Sequence, residues 1–307
     1  MTELRPTRPE DLPSLSALFA ERFGHPLPAD EWAWKYRQLP GEGRSWVALR
    51  GGTVVAHAGA LRLPARWRGG EGGIWQLADF VGGVGASALR PALVELGQAL
   101  LADLPGEGDA PWIFGFPSER HFRLGERVFG YQPLADFEDL AGELPEDAAP
   151  PAALRDVSDA CGPWAEAVWE RCGVAGVRRS VPFLLWRYWA RPRRYYRFYR
   201  LAAGKLEGLA VFAFVEDEAW AAEVWLPPGG NWRNALVAAA ADLRAAGLRR
   251  WRFWPPPAPE HAALYESLGL RKAGVRRFVG CRGKPGELDL IAAAEGFTYS
   301  MGDYDLV

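Results

Sequence analysis

Apolar and polar positions alternate along this chain in blocks, and the most informative block runs from Ile74 to Gly115. Ile74 to Val81 is apolar except for Gln76 and Asp79, the pattern of a buried strand. The small residues Gly82-Gly83-Val84-Gly85 follow, and Ala86-Ser87 then opens a helical period that lasts to about Leu104. Pro111-Trp112-Ile113-Phe114-Gly115 reads as the next strand. A glycine loop that feeds a helix aims main-chain N–H groups at one point, with the positive end of the helix dipole behind them. That arrangement suits an anion, and a pyrophosphate fits it.

Upstream, Glu3-Leu4-Arg5 is a short strand, and Pro6 to Asp11 begins a helix whose period is set by Leu12, Leu15, Leu18 and Phe19. Gly24 ends that helix, and Asp30 to Tyr36 forms another that stops near Pro40. Ser45 to Arg50 and Thr53 to Leu63 are strands joined at Gly51-Gly52, a hairpin signal. Beyond Gly115, Ser118 to Leu124 is a short helix and Tyr131 to Leu140 a strand. Residues 143–156 are acidic and rich in proline, with no apolar period, and read as a linker.

The pattern then repeats. Trp34-Lys35-Tyr36 before Pro40 has a counterpart in Trp186-Arg187-Tyr188 before Pro192, and the hairpin Val47 to Ala60 has one in Tyr199 to Phe214. Trp75 to Val81 matches Trp220 to Trp225, and Gly82-Gly83 matches Gly229-Gly230. The helix Ser87 to Leu104 matches Asn231 to Ala246, and Trp112 to Phe116 matches Trp251 to Trp254, each running into proline. Phe129-Gly130-Tyr131 matches Leu268-Gly269-Leu270. The reading is two copies of one domain, 1–142 and 157–284, with a tail at 285–307 that holds Gly302-Asp303-Tyr304-Asp305.

Composition adds bounds. A chain of 307 residues is long for a single core, in keeping with two domains. A net charge of −2 gives no global field for nucleic acid. Cys161, Cys172 and Cys281 form no Cys-x-x-Cys pair, so neither a disulfide framework nor a zinc site is expected. With no apolar signal core at Met1 to Pro6 and no run long enough to span a bilayer, a soluble, cytoplasmic protein is expected.

The element order resembles the fold of the GNAT (GCN5-related) N-acetyltransferases, a mixed α/β sheet. In detail it resembles tandem GNAT proteins with a Trp-Lys-Tyr or Trp-Arg-Tyr box, a Phe-Pro after the fifth strand and a Gly-Asp-x-Asp tail. Here these are Trp34-Lys35-Tyr36, Trp186-Arg187-Tyr188, Phe116-Pro117 and Gly302-Asp303-Tyr304-Asp305. The resemblance implies that the fourth and fifth strands splay and that acetyl-CoA or another acyl-CoA lies between them, with no metal. Its cofactor-binding stretch is Phe80, Val81, Gly82, Gly83, Val84, Gly85, Ala86 and Ser87. The family's Arg or Gln is missing from that loop, although main-chain amides supply the same donors whatever the side chain. In the second copy Pro227-Pro228 removes donors, which makes the first copy the better cofactor site.

The implied reaction is acyl transfer to a small amine or amino-sugar acceptor. Asp79 is the candidate base, and the oxyanion falls to a backbone N–H near Phe80 or Val81. The family's thiolate acid, a Tyr four residues before a Gly, matches Tyr265 in the second copy and Glu126 in the first. Trp34, Tyr36, Phe116, Ser118 and His121 are the candidate acceptor residues, and His121 is a second base candidate. His57, mid-strand, reads as a satisfied core histidine. The segment Val177 to Arg200 carries many arginines and aromatic rings and no acid. Its alternation favours rings in a core and arginines paired or in water over a polyanion-binding surface. The alternatives to an acetyltransferase are a catalytically silent tandem protein that binds a ligand, partner or anionic polymer, and an aminoacyl-transfer relative of wall-peptide enzymes.

Overall fold

The computed structural model describes residues 2–67, 70–83, 86–104, 109–146, 162–256, 258–283 and 294–304. In chain order the elements that matter below are β1 (Thr2–Pro6), α1 (Leu12–Phe23), α2 (Ala29–Arg37), β2 (Glu42–Arg50), β3 (Thr53–Trp67), β4 (Gly70–Gly82), α3 (Ala86–Asp103), β5 (Asp109–Gly115), α4 (Glu119–Val128) and β6 (Gln132–Glu143). There follow α5 (Pro163–Cys172), β7 (Ala175–Val177), α6 (Val181–Leu184), β8 (Tyr196–Ala203), β9 (Leu206–Val215), β10 (Glu218–Trp225), α7 (Arg233–Ala245), β11 (Arg250–Phe253), α8 (Ala262–Ser267) and β12 (Arg271–Gly283). The elements read from the sequence are all present. β3 and β4 are longer than expected: Pro64 to Trp67 and Gly70 to Gly73 continue the antiparallel ladder between them.

The chain forms two compact units. Unit 1 is Met1–Ala135 with Phe278–Glu295, and unit 2 is Asp136–Arg277 with Gly296–Val307. These differ from the uninterrupted stretches 1–142 and 157–284 expected from the repeat. The segment that begins at Asp136 belongs to the second unit, and the end of β12 to the first.

In unit 1, β1, β2, β3 and β4 pair antiparallel in sequence order. β5 pairs parallel to β4, as a strand reached through a crossover helix must. Gly280 to Gly283 of β12 pair antiparallel to β5 from Gly115 to Trp112. One face buries the alanines of β2 and β3 (Ala48, Ala56, Ala58, Ala60) under Ala92, Leu96 and Leu100 of α3 and Phe122 of α4. Small residues on the sheet let α3 approach closely.

Unit 2 uses the same order. β8, β9 and β10 pair antiparallel, β11 pairs parallel to β10, and Leu140 to Glu143 of β6 pair antiparallel to β11. Its core sets Tyr199, Phe212, Trp251 and Phe253 of the sheet against Leu236, Val237, Ala240 and Leu243 of α7.

Candidate active site

β5 ends at Gly115, and its parallel pairing with β4 runs from Gly73↔Asp109 to Gln76↔Phe114, while β4 continues to Gly82. Beyond that point β4 carries a bulge. Asp79 and Phe80 together stand opposite Ala58, between the pairs Gly59↔Ala78 and His57↔Val81. Asp79 takes a left-handed conformation, φ 51°, which an aspartate tolerates better than a branched residue would.

The bulge is held from both sides. Lys35 Nζ of α2 donates to both Asp79 carboxylate oxygens at 3.0 and 2.9 Å, and the Tyr36 hydroxyl donates to Oδ2 at 2.7 Å. His57, wholly buried, holds the main chain: its Nδ1 lies 2.9 Å from the Asp79 carbonyl oxygen. That oxygen only accepts, so Nδ1 carries the proton and Nε2 accepts from Ser45 Oγ at 2.8 Å. Burial lowers the His57 pKa to about 4, with the Lys35 charge acting in the same direction and the Asp79 hydrogen bond opposing it. His57 is therefore the satisfied core histidine expected.

A cavity of about 810 Å³ opens at the end of β4, past its last pair with β5. Phe80, Val81, Gly82 and Gly83 line it from the end of β4, and Leu93 lines it from α3. Ser118 to His121, Arg123, Leu124 and Arg127 line it from α4 and its cap, and Arg22 and Phe23 from the end of α1. The Ser118 hydroxyl caps α4 by accepting from the His121 N–H at 3.3 Å. The His121 ring lies nearly parallel to Phe80, 4.7 Å between centroids, and its Nε2 is buried without a hydrogen-bond partner. Burial lowers the His121 pKa to about 4, so the imidazole is neutral near pH 7 with a free ring nitrogen.

The candidate residues are thus distributed unevenly. Phe80, Val81, Gly82, Gly83, Ser118 and His121 meet at the cavity. Val84 and Gly85 lie outside the described residues, and Ala86 and Ser87 form the first turn of α3. Trp34 and Tyr36 are 1% and 2% exposed and belong to the core, so they do not line an acceptor cleft. Phe116 is half-buried with its ring against Phe114. Glu126 is exposed on α4, off the cavity lining. Sequence reasoning missed Lys35, which anchors the bulge, and the arginines of α4. The signal for the arginines was their spacing on a single helical face.

In unit 2 the corresponding features are closed. β10 and β11 pair only from Glu218↔Arg250 to Trp220↔Arg252, and a bulge between Ala221 and Glu223 follows. Tyr188 donates to Glu223 at 2.5 Å, as Tyr36 does to Asp79, and Trp225 Nε1 donates to the same carboxylate at 2.8 Å. Burial pushes the Glu223 carboxyl up, against the pull of Arg179. The carboxy-terminal segment then fills the gap. Gly302 sits against Tyr188 and Glu223, Arg187 Nε donates to the Gly302 carbonyl at 2.7 Å, and Asp303 is 2.9 Å from Arg179. The remaining space, lined by Tyr265, Tyr299, Ser300 and Met301 among others, is about 20 Å³, room for one water. Tyr265, nominated as the thiolate acid, lines this residual space beside Phe253, 3% exposed, its pKa raised by burial.

Most arginines of the Val177–Arg200 segment are engaged within unit 2. Arg178 pairs with Glu166 and Glu170, Arg197 with Asp242, and Arg200 with Glu207. Tyr196, Phe198 and Tyr199 are buried in its core. Among the described residues no group of His, Cys, Asp and Glu is placed to hold a metal ion, and no helix is long and apolar enough to cross a membrane.

No protein-family model matches the sequence, and no curated protein matches it. Solved structures do match. A GCN5-related N-acetyltransferase from Anabaena variabilis superposes with a TM-score of 0.65 at 14% identity, over 92% of this chain and 72% of its own. A conserved protein of unknown function from Enterococcus faecalis, described as a probable N-acyltransferase, gives 0.64 at 13% identity, over 92% and 73%. A GCN5-related N-acetyltransferase from Kribbella flavida gives 0.56 at 14% identity, over 92% and 72%. The fold is the GNAT fold. Identities this low carry the architecture alone, and the bulge and cavity at the end of β4 in unit 1 are features of this chain's own geometry.

Proposed function

We propose that the chain is a tandem of two GNAT-like domains in which unit 1 is an acyl-CoA-dependent N-acyltransferase for a small amine. In this reading the carboxy-terminal segment closes unit 2. The observation that carries it is the cavity of about 810 Å³ lined by the end of β4, past its last pair with β5 at Gln76↔Phe114. That volume lies in the range of small-molecule and cofactor sites. The lining suits the cofactor: Phe80, Val81, Leu93 and Leu124 are apolar enough for a pantetheine arm, and Arg22, Arg120, Arg123 and Arg127 offer donors to phosphates.

Acyl-CoA, when bound, supplies an acyl carbon activated as a thioester. The bulge at Asp79-Phe80 leaves main-chain groups out of the β3–β4 ladder, and an N–H near Phe80 or Val81 is the donor for charge building on oxygen. His121 Nε2, neutral and unpartnered, accepts the proton of the amine. Asp79 already accepts from Lys35 and Tyr36, so in this reading it positions the bulge and His121 is the base.

Thermal denaturation with and without acetyl-CoA tests the proposal. At 100 times its dissociation constant a ligand adds about 2.7 kcal/mol, a visible rise in melting temperature. The expected result is such a rise, lost in Gly83→Trp, with one site per chain by calorimetry. No rise at millimolar acetyl-CoA overturns it. Binding without thiol release across a panel of amines would favour the silent reading.

A further inference from the structure

Four arginines face the unit 1 cavity, in a chain whose net charge is −2. Arg120, Arg123 and Arg127 lie on one face of α4, at spacings of three and four residues, and Arg22 comes from the last turn of α1. The only carboxylate among the lining residues is Glu119, and it is bonded to Arg123. Arg22, Arg120 and Arg127 have no ion-pair partner among the described residues. Other arginines of unit 1 are matched, Arg5 with Asp11, Arg62 with Asp109 and Arg44 with Glu42, while Arg37 lies over the Trp32 ring. Like charges at this spacing repel one another, so the stripe is unfavourable until an anion joins it.

We infer that Arg22, Arg120 and Arg127, with Arg123 beside them, form a phosphate clamp at the mouth of the unit 1 cavity. The clamp takes over the role that a side chain of the β4–α3 loop lacks here. As far as the phosphates are those of acyl-CoA, the inference rests on the proposed function; a phosphorylated acceptor offers the same chemistry. Guanidinium groups meet phosphate oxygens through paired N–H donors, which an ammonium does not reproduce. The neighbouring His121 is neutral and adds no charge, so the arginines alone carry the attraction.

The experiment is calorimetric titration of the full chain and of Arg22→Ala, Arg120→Ala and Arg127→Ala with acetyl-CoA, acetyl-pantetheine and inorganic pyrophosphate. All these side chains are exposed, so the variants keep the fold, which their unligated melting temperatures verify. Each arginine removed is expected to weaken acetyl-CoA about tenfold or more, and to leave acetyl-pantetheine unchanged. Arg120→Lys should recover part of the loss, and added salt should weaken the wild type more than the Ala variants. If the variants weaken pyrophosphate but not acetyl-CoA, the clamp stands and its phosphate belongs to the acceptor. If the wild type binds pyrophosphate through these arginines but does not bind acetyl-CoA, the clamp stands and the acyl-CoA reading fails. If the variants leave both ligands as tight as the wild type does, the clamp is wrong, whether or not acetyl-CoA binds.

Discussion

The Tyr36 hydroxyl donates to Asp79 Oδ2 at 2.7 Å across 43 residues of sequence, tying the end of α2 to the bulge in β4. Lys35 joins the same carboxylate, with both charged side chains largely withdrawn from water (6% and 11% exposed). Breaking such a pair from one side leaves a buried charge alone. Asp79→Asn, which keeps the backbone propensity, should cost about 3–5 kcal/mol in urea unfolding. Tyr36→Phe, which leaves the ion pair intact, should cost about 1–2 kcal/mol. Equal losses in the two variants would show that the ammonium does not depend on this carboxylate.

Acid should unfold unit 1 through its histidines. His57 titrates at about 4 in the folded chain against an ordinary 6.5. Between those values the unfolded chain binds the extra proton, so stability rises with pH across that window and is lost as pH falls toward 4. The expected loss is on the order of 3 kcal/mol by pH 4. Melting temperature followed from pH 7 to 4 should fall, and should fall less steeply in His57→Asn.

His121→Asn keeps a polar side chain over Phe80 but removes the buried, unpartnered ring nitrogen. General-base assistance is worth roughly 10²–10⁴ in rate. A kcat reduced by about that factor, with little change in acetyl-CoA affinity, is expected in a thiol-release assay once an accepting amine is found. An unchanged kcat would return the proton to Asp79 or to solvent.

A Cβ on Gly302 would stand 2.1 Å from the Tyr188 hydroxyl, 2.5 Å from Glu223 Oε1 and 2.9 Å from the Ala222 carbonyl. The last of these is main chain and cannot swing aside. Gly302→Ala should therefore lower stability by about 1–3 kcal/mol. Arg179→Met should lower it more, by about 3–5 kcal/mol, because Glu223 and Asp303 then remain buried with no cation between them. If both variants melt as the wild type does, the carboxy-terminal segment does not hold unit 2 together.

Much of the fold was legible because the sheet and helix periods are regular and because they occur twice. The parallel pair β4–β5 followed from a strand, a long helix and a second strand. The site was less legible for reasons of geometry. Nothing in Leu77-Ala78-Asp79-Phe80 announces a bulge, since the left-handed turn at Asp79 arises from its partners on α2, far off in sequence. Trp34 and Tyr36 resembled cleft aromatics but are core, because α2 is covered on more than one face, burying Trp32, Trp34, Lys35 and Tyr36 together. Glu223 went unnoticed for the same reason as Lys35: its meaning lies in Tyr188 and Arg179, which only folding brings to it. The cavity residues Phe80 to Gly83, Ser118 and His121 were found because they border elements whose ends the sequence marks plainly.

The strand that pairs with β5 in unit 1 is Gly280–Gly283, synthesised long after β5 itself. A nascent amino-terminal half must wait with β5 as a bare edge, open to pairing with another molecule. Expressing residues 1–142 by themselves should yield an aggregation-prone fragment, and supplying the remainder of the polypeptide in trans should rescue its solubility.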